Sequence, residues 1–193
     1  GNGSGVEAGG DTWRFCRYDS VSVTMSEPDA VERARRAAAA NDSIDSREDD
    51  GYAVRATAFE GTVEVDADGG AAVFGVRVAV PMLDAVTEDE VASVVEDGWF
   101  ETFELRIDDV DGATRGDDVA VSVRRVDDEA VVEAELRDLD ATRAAADAVA
   151  TVEYVEGTYV EGIIPGYEYT EPVTVLVQRA ADAAGGNKGG TPL

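Results

Sequence analysis

The chain has 193 residues, 42 of them acidic and 16 basic, and carries a formal net charge of -26 with no histidine and one cysteine. This length corresponds to one domain with a core of ordinary size. A histidine general base, a Ser-His-Asp or Cys-His nucleophile, and zinc sites of the His/Cys type are excluded, because their residues are missing.

The basic residues are almost all arginine, and Lys188 is the single lysine of the sequence. In 1 M salt the Debye length is about 3 Å, so repulsion among surface carboxylates is screened while their hydration keeps a protein soluble. The composition resembles that of cytoplasmic proteins from salt-accumulating halophilic archaea. Its negative charge argues against nucleic acid and anionic membranes as partners, although less strongly if the charge reflects the solvent.

Residues 1–25 end at Met25, directly before Ser26-Glu27-Pro28-Asp29. Ser26, with Asp29 three residues later, is a helix-start pattern. We therefore expect residues 1–25 to be a disordered extension upstream of a start at Met25, with an N-terminal strand as the alternative. The sequence contains no run of eighteen apolar residues and no secretory signal, so a cytoplasmic location without a membrane span is expected.

The next part of the chain predicts one helix and three strands. The helix covers about residues 29–41, where small apolar residues recur at helical spacing. Alternating patterns predict strands at 52–59, 62–66 and 72–80, and the glycines at 69 and 70 close a hairpin between the last two.

The second half predicts a helix, a hairpin and two more helices. Thr87-Glu88-Asp89-Glu90 is a capping box that should open a helix reaching about residue 107, with a strand at 103–107 as the alternative. Alternating residues at 119–124 and 132–136 predict a second hairpin. A long helix should begin after Asp138 or Asp140 and end near 161, and a short one should cover 172–183, followed by a flexible tail at 184–193.

Together these elements predict a single α+β domain over residues 26–183. We expect two layers, an antiparallel sheet of about five strands covered by helices, in the order α-β-β-β-α-β-β-α with a short C-terminal helix. The order is similar to that of the secretion-chaperone-like fold, whose chains often form dimers, and this resemblance implies a possible homodimer. A fold alone does not determine function.

Two aromatic segments are distinctive: EDGWFETFELR at residues 96–106 and YVEGTYVEGIIPGY at residues 154–167. Both resemble an uncharacterised family of halophilic archaeal proteins, a domain of unknown function. The resemblance extends over about residues 25–183 and implies no activity, substrate or cofactor.

Seven of the thirteen aromatic residues lie in or beside these segments: Trp99, Phe100, Phe103, Tyr154, Tyr159, Tyr167 and Tyr169. Because aromatic side chains gain much free energy on burial, the cluster is expected first to form core. The alternative is a binding groove rimmed by carboxylates, for which the candidates are Glu101, Glu104, Glu156 and Glu161. A solvated acidic face would place the same carboxylates there.

Other motifs give little support for chemistry. The acidic residues at 108–112 lack the spacing of a calcium loop, and no phosphate-binding glycine motif occurs. With 42 acids, paired carboxylates arise by chance. We therefore expect no metal, no cofactor and no catalytic residue, and predict a non-enzymatic module that binds a protein or peptide through the seven aromatics. The alternative is an enzyme or small-molecule binder with a pocket lined by tyrosine and glutamate.

Overall fold

The computed structural model describes residues 26–48, 51–55 and 57–185. The predicted N-terminal extension and nearly all of the predicted tail lie outside these residues. The chain is α+β, as predicted, and its order of helices and strands is broadly the predicted one.

Six strands form one antiparallel sheet: β1 (Ile44–Ser46), β2 (Tyr52–Val54), β3 (Gly61–Asp68), β4 (Ala71–Pro81), β5 (Val119–Val126) and β6 (Glu129–Asp138). Their spatial order is β1-β2-β3-β4-β6-β5. The expected number of about five was too low, because β1 has only three residues and shows no alternation in the sequence. The strand expected at 52–59 ends at Val54, since the chain leaves the sheet before the buried Phe59.

Two hairpins form the centre of the sheet. Gly69 and Gly70 take φ of +56° and +82° in the turn between β3 and β4, a conformation that favours glycine. Between β5 and β6, Val119, Val121 and Val123 lie opposite Leu136, Ala134 and Val132, as the alternation predicted. On β4, Phe74, Val76, Val78 and Val80 are all buried on one face of the sheet.

Four helices complete the domain: α1 (Glu27–Ala39), α2 (Ser93–Ile107), α3 (Ala141–Glu161) and α4 (Val173–Gly185). The first helix and α3 pack on β3 and β4, while α2 packs against α3 and β5. Asp140 caps α3 by accepting hydrogen bonds from the N–H groups of Thr142 and Arg143, in agreement with the predicted start. Residues 103–107 are helical, so the strand alternative at that position was wrong.

The predicted start of α2 was also wrong. Thr87 has extended backbone and forms a bridge with Tyr169, and the helix begins six residues later, at Ser93. The intervening chain is held by side chains rather than by a helix: Asp84 accepts a hydrogen bond from the N–H of Val91, and Glu96 accepts one from the N–H of Asp84. These tertiary hydrogen bonds outweigh the local capping pattern.

Candidate functional site: a groove between α2 and α3

The two aromatic segments meet where α2 packs against the C-terminal half of α3. Trp99 and Phe103, one turn apart on α2, are stacked with ring centroids 5.4 Å apart. The ring of Tyr159, from α3, meets Trp99 edge to face at 5.5 Å, and Phe59 meets Tyr159 at 4.8 Å. Such aromatic contacts add stability beyond the area that they bury. Three of the seven predicted site residues therefore form buried core at this junction.

The other four predicted site residues, Phe100, Tyr154, Tyr167 and Tyr169, are half-buried around that core. Two of their hydroxyl groups join backbone segments. The hydroxyl of Tyr154 donates to the carbonyl of Arg106, at 2.8 Å. That of Tyr169 donates to the carbonyl of Ile164 and accepts from its N–H, each at 3.0 Å. These tyrosines thus hold the ends of α2 and α3 in place instead of pointing together into one pocket.

Two buried polar groups in the aromatic core have no hydrogen-bond partner among the described residues: the indole Nε1 of Trp99 and the hydroxyl of Tyr159. Trp99 is only 5% exposed and Tyr159 is fully buried. Burial, with a smaller contribution from nearby Tyr169, raises the pKa of Tyr159 above its ordinary value of 10.0, so this hydroxyl stays protonated. A buried donor without a partner costs about 1–3 kcal/mol, so each of these groups requires an explanation.

Beside Trp99 lies an open groove of about 410 Å³ between the two helices. Val94, Gly98, Trp99 and Thr102 of α2 form one wall, and Thr158 and Gly162 belong to the other. Val94 is 76% exposed, and Leu105, three turns further along α2, is 69% exposed. An α-helix turns about 100° per residue, so these two apolar side chains lie on the same side of α2, next to the groove.

The two glycines of the groove differ in their surroundings. A Cβ atom on Gly162 would lie 3.0 Å from Nε1 of Trp99, so the indole N–H faces the backbone of the opposite wall at close range. A Cβ atom on Gly98 would meet no atom of the described part of the chain within 4 Å. Glycine inside a helix costs about 1 kcal/mol relative to alanine, and nothing in the packing around Gly98 requires that cost.

Charged residues border the groove unevenly. Glu161 lines it and forms a long ion pair of 4.0 Å with Arg106. Of the other predicted rim carboxylates, Glu156 instead accepts hydrogen bonds from the N–H groups of Ala58 and Phe59. Helix geometry places Glu101 beside the exposed edge formed by Val94 and Leu105, and Glu104 on the side away from the groove. Sequence reasoning missed Val94, Gly98 and Arg106; the glycine inside a helical pattern was the one available signal.

Outside the groove, the described residues give no sign of a metal centre. They contain no group of three or more metal-ligating side chains placed to hold an ion. The acidic stretch at 108–112 forms a short 3₁₀ turn in which Val110 is buried. None of the described helices is both long and apolar enough to cross a membrane.

The comparisons with known proteins place the chain in a family without assigning it an activity. Neither the curated proteins nor the solved structures contain a match. The model of a family of unknown function, DUF5813, matches residues 39–179 and so includes the whole groove and the whole sheet. The chain belongs to this family of unknown function, DUF5813.

Proposed function

We propose that the domain is a non-enzymatic interaction module that binds a segment of a protein or peptide in the groove between α2 and α3. The observation that carries the proposal is the buried Nε1 of Trp99, at the wall of an open groove, which has no acceptor among the described residues. A bound segment would supply that acceptor and would cover Val94 and Leu105. It would also account for Gly98, since a side chain there would fill the space that the segment needs.

Binding is favoured over catalysis because several polar groups near the groove already have partners within the protein. The hydroxyl groups of Tyr154 and Tyr169 are engaged with backbone atoms, and Glu161 is partnered by Arg106. A general acid and base need free carboxyl or hydroxyl groups within reach of the same bound atom. The alternative of an enzyme with a tyrosine- and glutamate-lined pocket therefore receives less support from the arrangement of these groups.

A matched pair of glycine variants tests the proposal. Gly98→Leu would fill the groove, whereas Gly157→Leu would place the same side chain on α3, outside the groove lining, where a Cβ atom also meets nothing within 4 Å. A displayed library of random peptides is selected against the wild-type protein in molar KCl. We expect the enriched peptides to bind the Gly157→Leu protein as tightly as wild type and to bind the Gly98→Leu protein about tenfold or more weakly. Equal binding to all three proteins, each verified as folded by circular dichroism, would contradict the proposal, as would a selection that enriches nothing.

We also propose that the acidic surface is an adaptation to concentrated salt. The support is the net charge of -26 combined with a single lysine. When KCl falls from molar to about 0.1 M, the Debye length grows to about 10 Å and repulsion among carboxylates returns. We expect the helical circular dichroism signal and the melting temperature to fall together across this titration; an unchanged spectrum and melting temperature would refute the adaptation.

A further inference from the structure

We infer that the segment bound in the groove is cationic, carries apolar side chains, and presents an oxygen atom to the indole N–H of Trp99. This inference rests on the proposed function and adds the chemistry of the partner. Three independent features of the groove support it: its charge, its exposed apolar edge and the buried donor in its wall.

The charge around the groove is negative and only partly compensated. Helix α2 contains four acidic residues and one basic residue, a difference of three negative charges. Two of the acids, Glu96 and Asp97, are paired with Arg125. Glu101, beside the exposed edge, forms no ion pair within the described part of the chain, and Glu161, which lines the groove, forms only a long ion pair of 4.0 Å with Arg106. Lysine or arginine on a bound segment would compensate these carboxylates, whereas an acidic segment would be repelled.

The exposed edge of α2 determines where the bound segment must carry apolar side chains. Val94 and Leu105 are separated by eleven residues, which is about 16 Å along a helix axis. Gly98 lies between them and has open space above it. A bound segment can therefore bring its backbone close to α2 at Gly98 while two of its apolar side chains cover Val94 and Leu105. Helices and strands approach most closely where one of them carries glycine.

The indole of Trp99 determines which polar group the bound segment must present. Its Nε1 faces Gly162 across the wall of the groove and donates to no described acceptor. Since indole is a donor only, the matching group must be an oxygen acceptor, such as a backbone carbonyl or a side-chain hydroxyl or amide oxygen. Because Nε1 is buried and a Cβ atom on Gly162 would lie 3.0 Å from it, such an oxygen reaches the indole only if the turn at Gly162 moves when the segment binds.

Three pools of synthetic peptides test the inference. All have about twelve residues, a length of about 18 Å as a helix, and share the same apolar positions. Their polar positions are Lys and Arg in the first pool, Gln and Ser in the second, and Glu and Asp in the third. Fluorescence polarisation measures binding from molar KCl down to the lowest concentration at which the fold persists. We expect the basic pool to bind about tenfold more tightly than the neutral pool at low salt, and the difference to shrink as salt is added.

The role of Trp99 has its own readouts. Trp99→Phe keeps a ring for the stack with Phe103 but removes the N–H, so the basic pool should bind about three- to tenfold more weakly. In the wild-type protein, the ¹H–¹⁵N indole signal of Trp99 should move downfield when the basic pool is added and should exchange more slowly with deuterium. This second measurement decides the point if Trp99→Phe fails to fold. An indole signal that stays in place when a peptide binds would overturn the assignment of Trp99 as the donor.

The outcomes separate this inference from the function on which it rests. If neutral or acidic peptides bind as tightly as basic ones and Gly98→Leu still prevents binding, the groove is a binding site but the inference about charge is wrong. If no pool binds, or if Gly98→Leu and Gly157→Leu behave alike, the proposed function itself fails. A dimer detected by light scattering and dissociated by Gly98→Leu would also overturn the inference, because a second copy presents the same acidic surface.

Discussion

The ion pair between Glu96 and Arg125 fixes the position of α2 and therefore that of the groove. The carboxylate of Glu96 accepts a hydrogen bond from the Arg125 guanidinium at 2.6 Å and another from the N–H of Asp84 at 3.0 Å. Its side chain is 8% exposed, that of Arg125 is 40% exposed, and that of Asp97, the second carboxylate on the same arginine, is 64% exposed. One arginine thus joins a buried and an exposed acid, which makes the two pairs a matched comparison.

The magnitudes follow from these exposures. A hydrogen bond between charged groups contributes about 1.5–3 kcal/mol when buried, and the partial exposure of Arg125 reduces the expected coupling with Glu96 to about 1–2 kcal/mol. The pair with Asp97 is exposed on both sides, so its coupling should be about 0.5 kcal/mol or less. In molar KCl the exposed pair should lose most of its coupling, whereas the buried pair should keep more than half, because water and ions reach it poorly.

Double-mutant cycles measure both couplings. Glu96→Gln and Asp97→Asn are each combined with Arg125→Met, which keeps the aliphatic part of the side chain, and the free energy of unfolding is taken from urea titrations at constant KCl. Glu96→Gln keeps an oxygen for the N–H of Asp84, so the cycle isolates the ion pair. If the two couplings agree within about 0.5 kcal/mol, the ordinary error of additivity, burial does not strengthen the pair and the reasoning is refuted.

Three further predictions concern other buried or paired groups. Tyr159→Phe removes a hydroxyl without a described partner and should leave the melting temperature unchanged or raise stability by up to about 1 kcal/mol; a clear loss in calorimetry would mean that the hydroxyl has a hydrogen-bonded partner, such as a buried water. Asp147→Ala removes the acceptor for the backbone N–H groups of residues 115 and 116 and should cost about 2–4 kcal/mol in urea unfolding, whereas a cost below about 1 kcal/mol would show that water replaces the carboxylate. Hydrogen bonding to Arg143 holds the pKa of Asp138 below its ordinary value of 3.8, so the pair stabilises the fold above that pH and the contribution is lost as pH falls through the lower folded-state value. Asp138→Asn should accordingly lose less stability than wild type between about pH 5 and pH 2 in urea titrations, and parallel curves would contradict this.

The sheet could be predicted where its strands are long enough to show alternation. The strands β4 and β6 have eleven and ten residues, and the buried side of β4 follows the predicted pattern of Phe74, Val76, Val78 and Val80. The helix α3 could be predicted because a strong cap at Asp140 precedes a long helical pattern. By contrast, β1 has three residues, and Thr87 belongs to a capping pattern that tertiary hydrogen bonds override. Both failures concern structure that depends on contacts distant in the sequence.

The burial of individual acidic residues could not be predicted from the sequence either. With 42 acidic residues, Glu96 and Asp147 look like any other surface carboxylate. Their burial depends on partners that fold next to them: a guanidinium from β5 for Glu96, and the backbone of the loop before β5 for Asp147. The prediction that the acidic residues are neither catalytic nor metal-binding does not indicate which of them have structural roles.

The sequence indicated that the two aromatic segments are close together, but not which residues form the exposed surface of the groove between them. The crowding of aromatics around residues 99 and 159 correctly predicted that they meet, since large apolar rings are the residues most stabilised by burial. In the sequence, Gly98 is only a glycine inside a helical pattern, and its significance depends on the open space above it, which the sequence does not show. Val94 and Leu105 read as ordinary helix residues until their exposure is known.

Salt gives the charged and apolar parts of the groove different roles. In molar salt the Debye length is about 3 Å, so the attraction between the carboxylates and a cationic segment is largely screened. The free energy gained by burying the exposed side chains of Val94 and Leu105 is not reduced by salt. The apolar contacts and the hydrogen bond from Trp99 would therefore supply most of the affinity in molar salt, while charge would mainly determine which segments bind and how fast. Because nearby carboxylates repel the same edge of a second copy, the proposed groove would favour a basic partner over self-association, and would do so more strongly as salt is lowered.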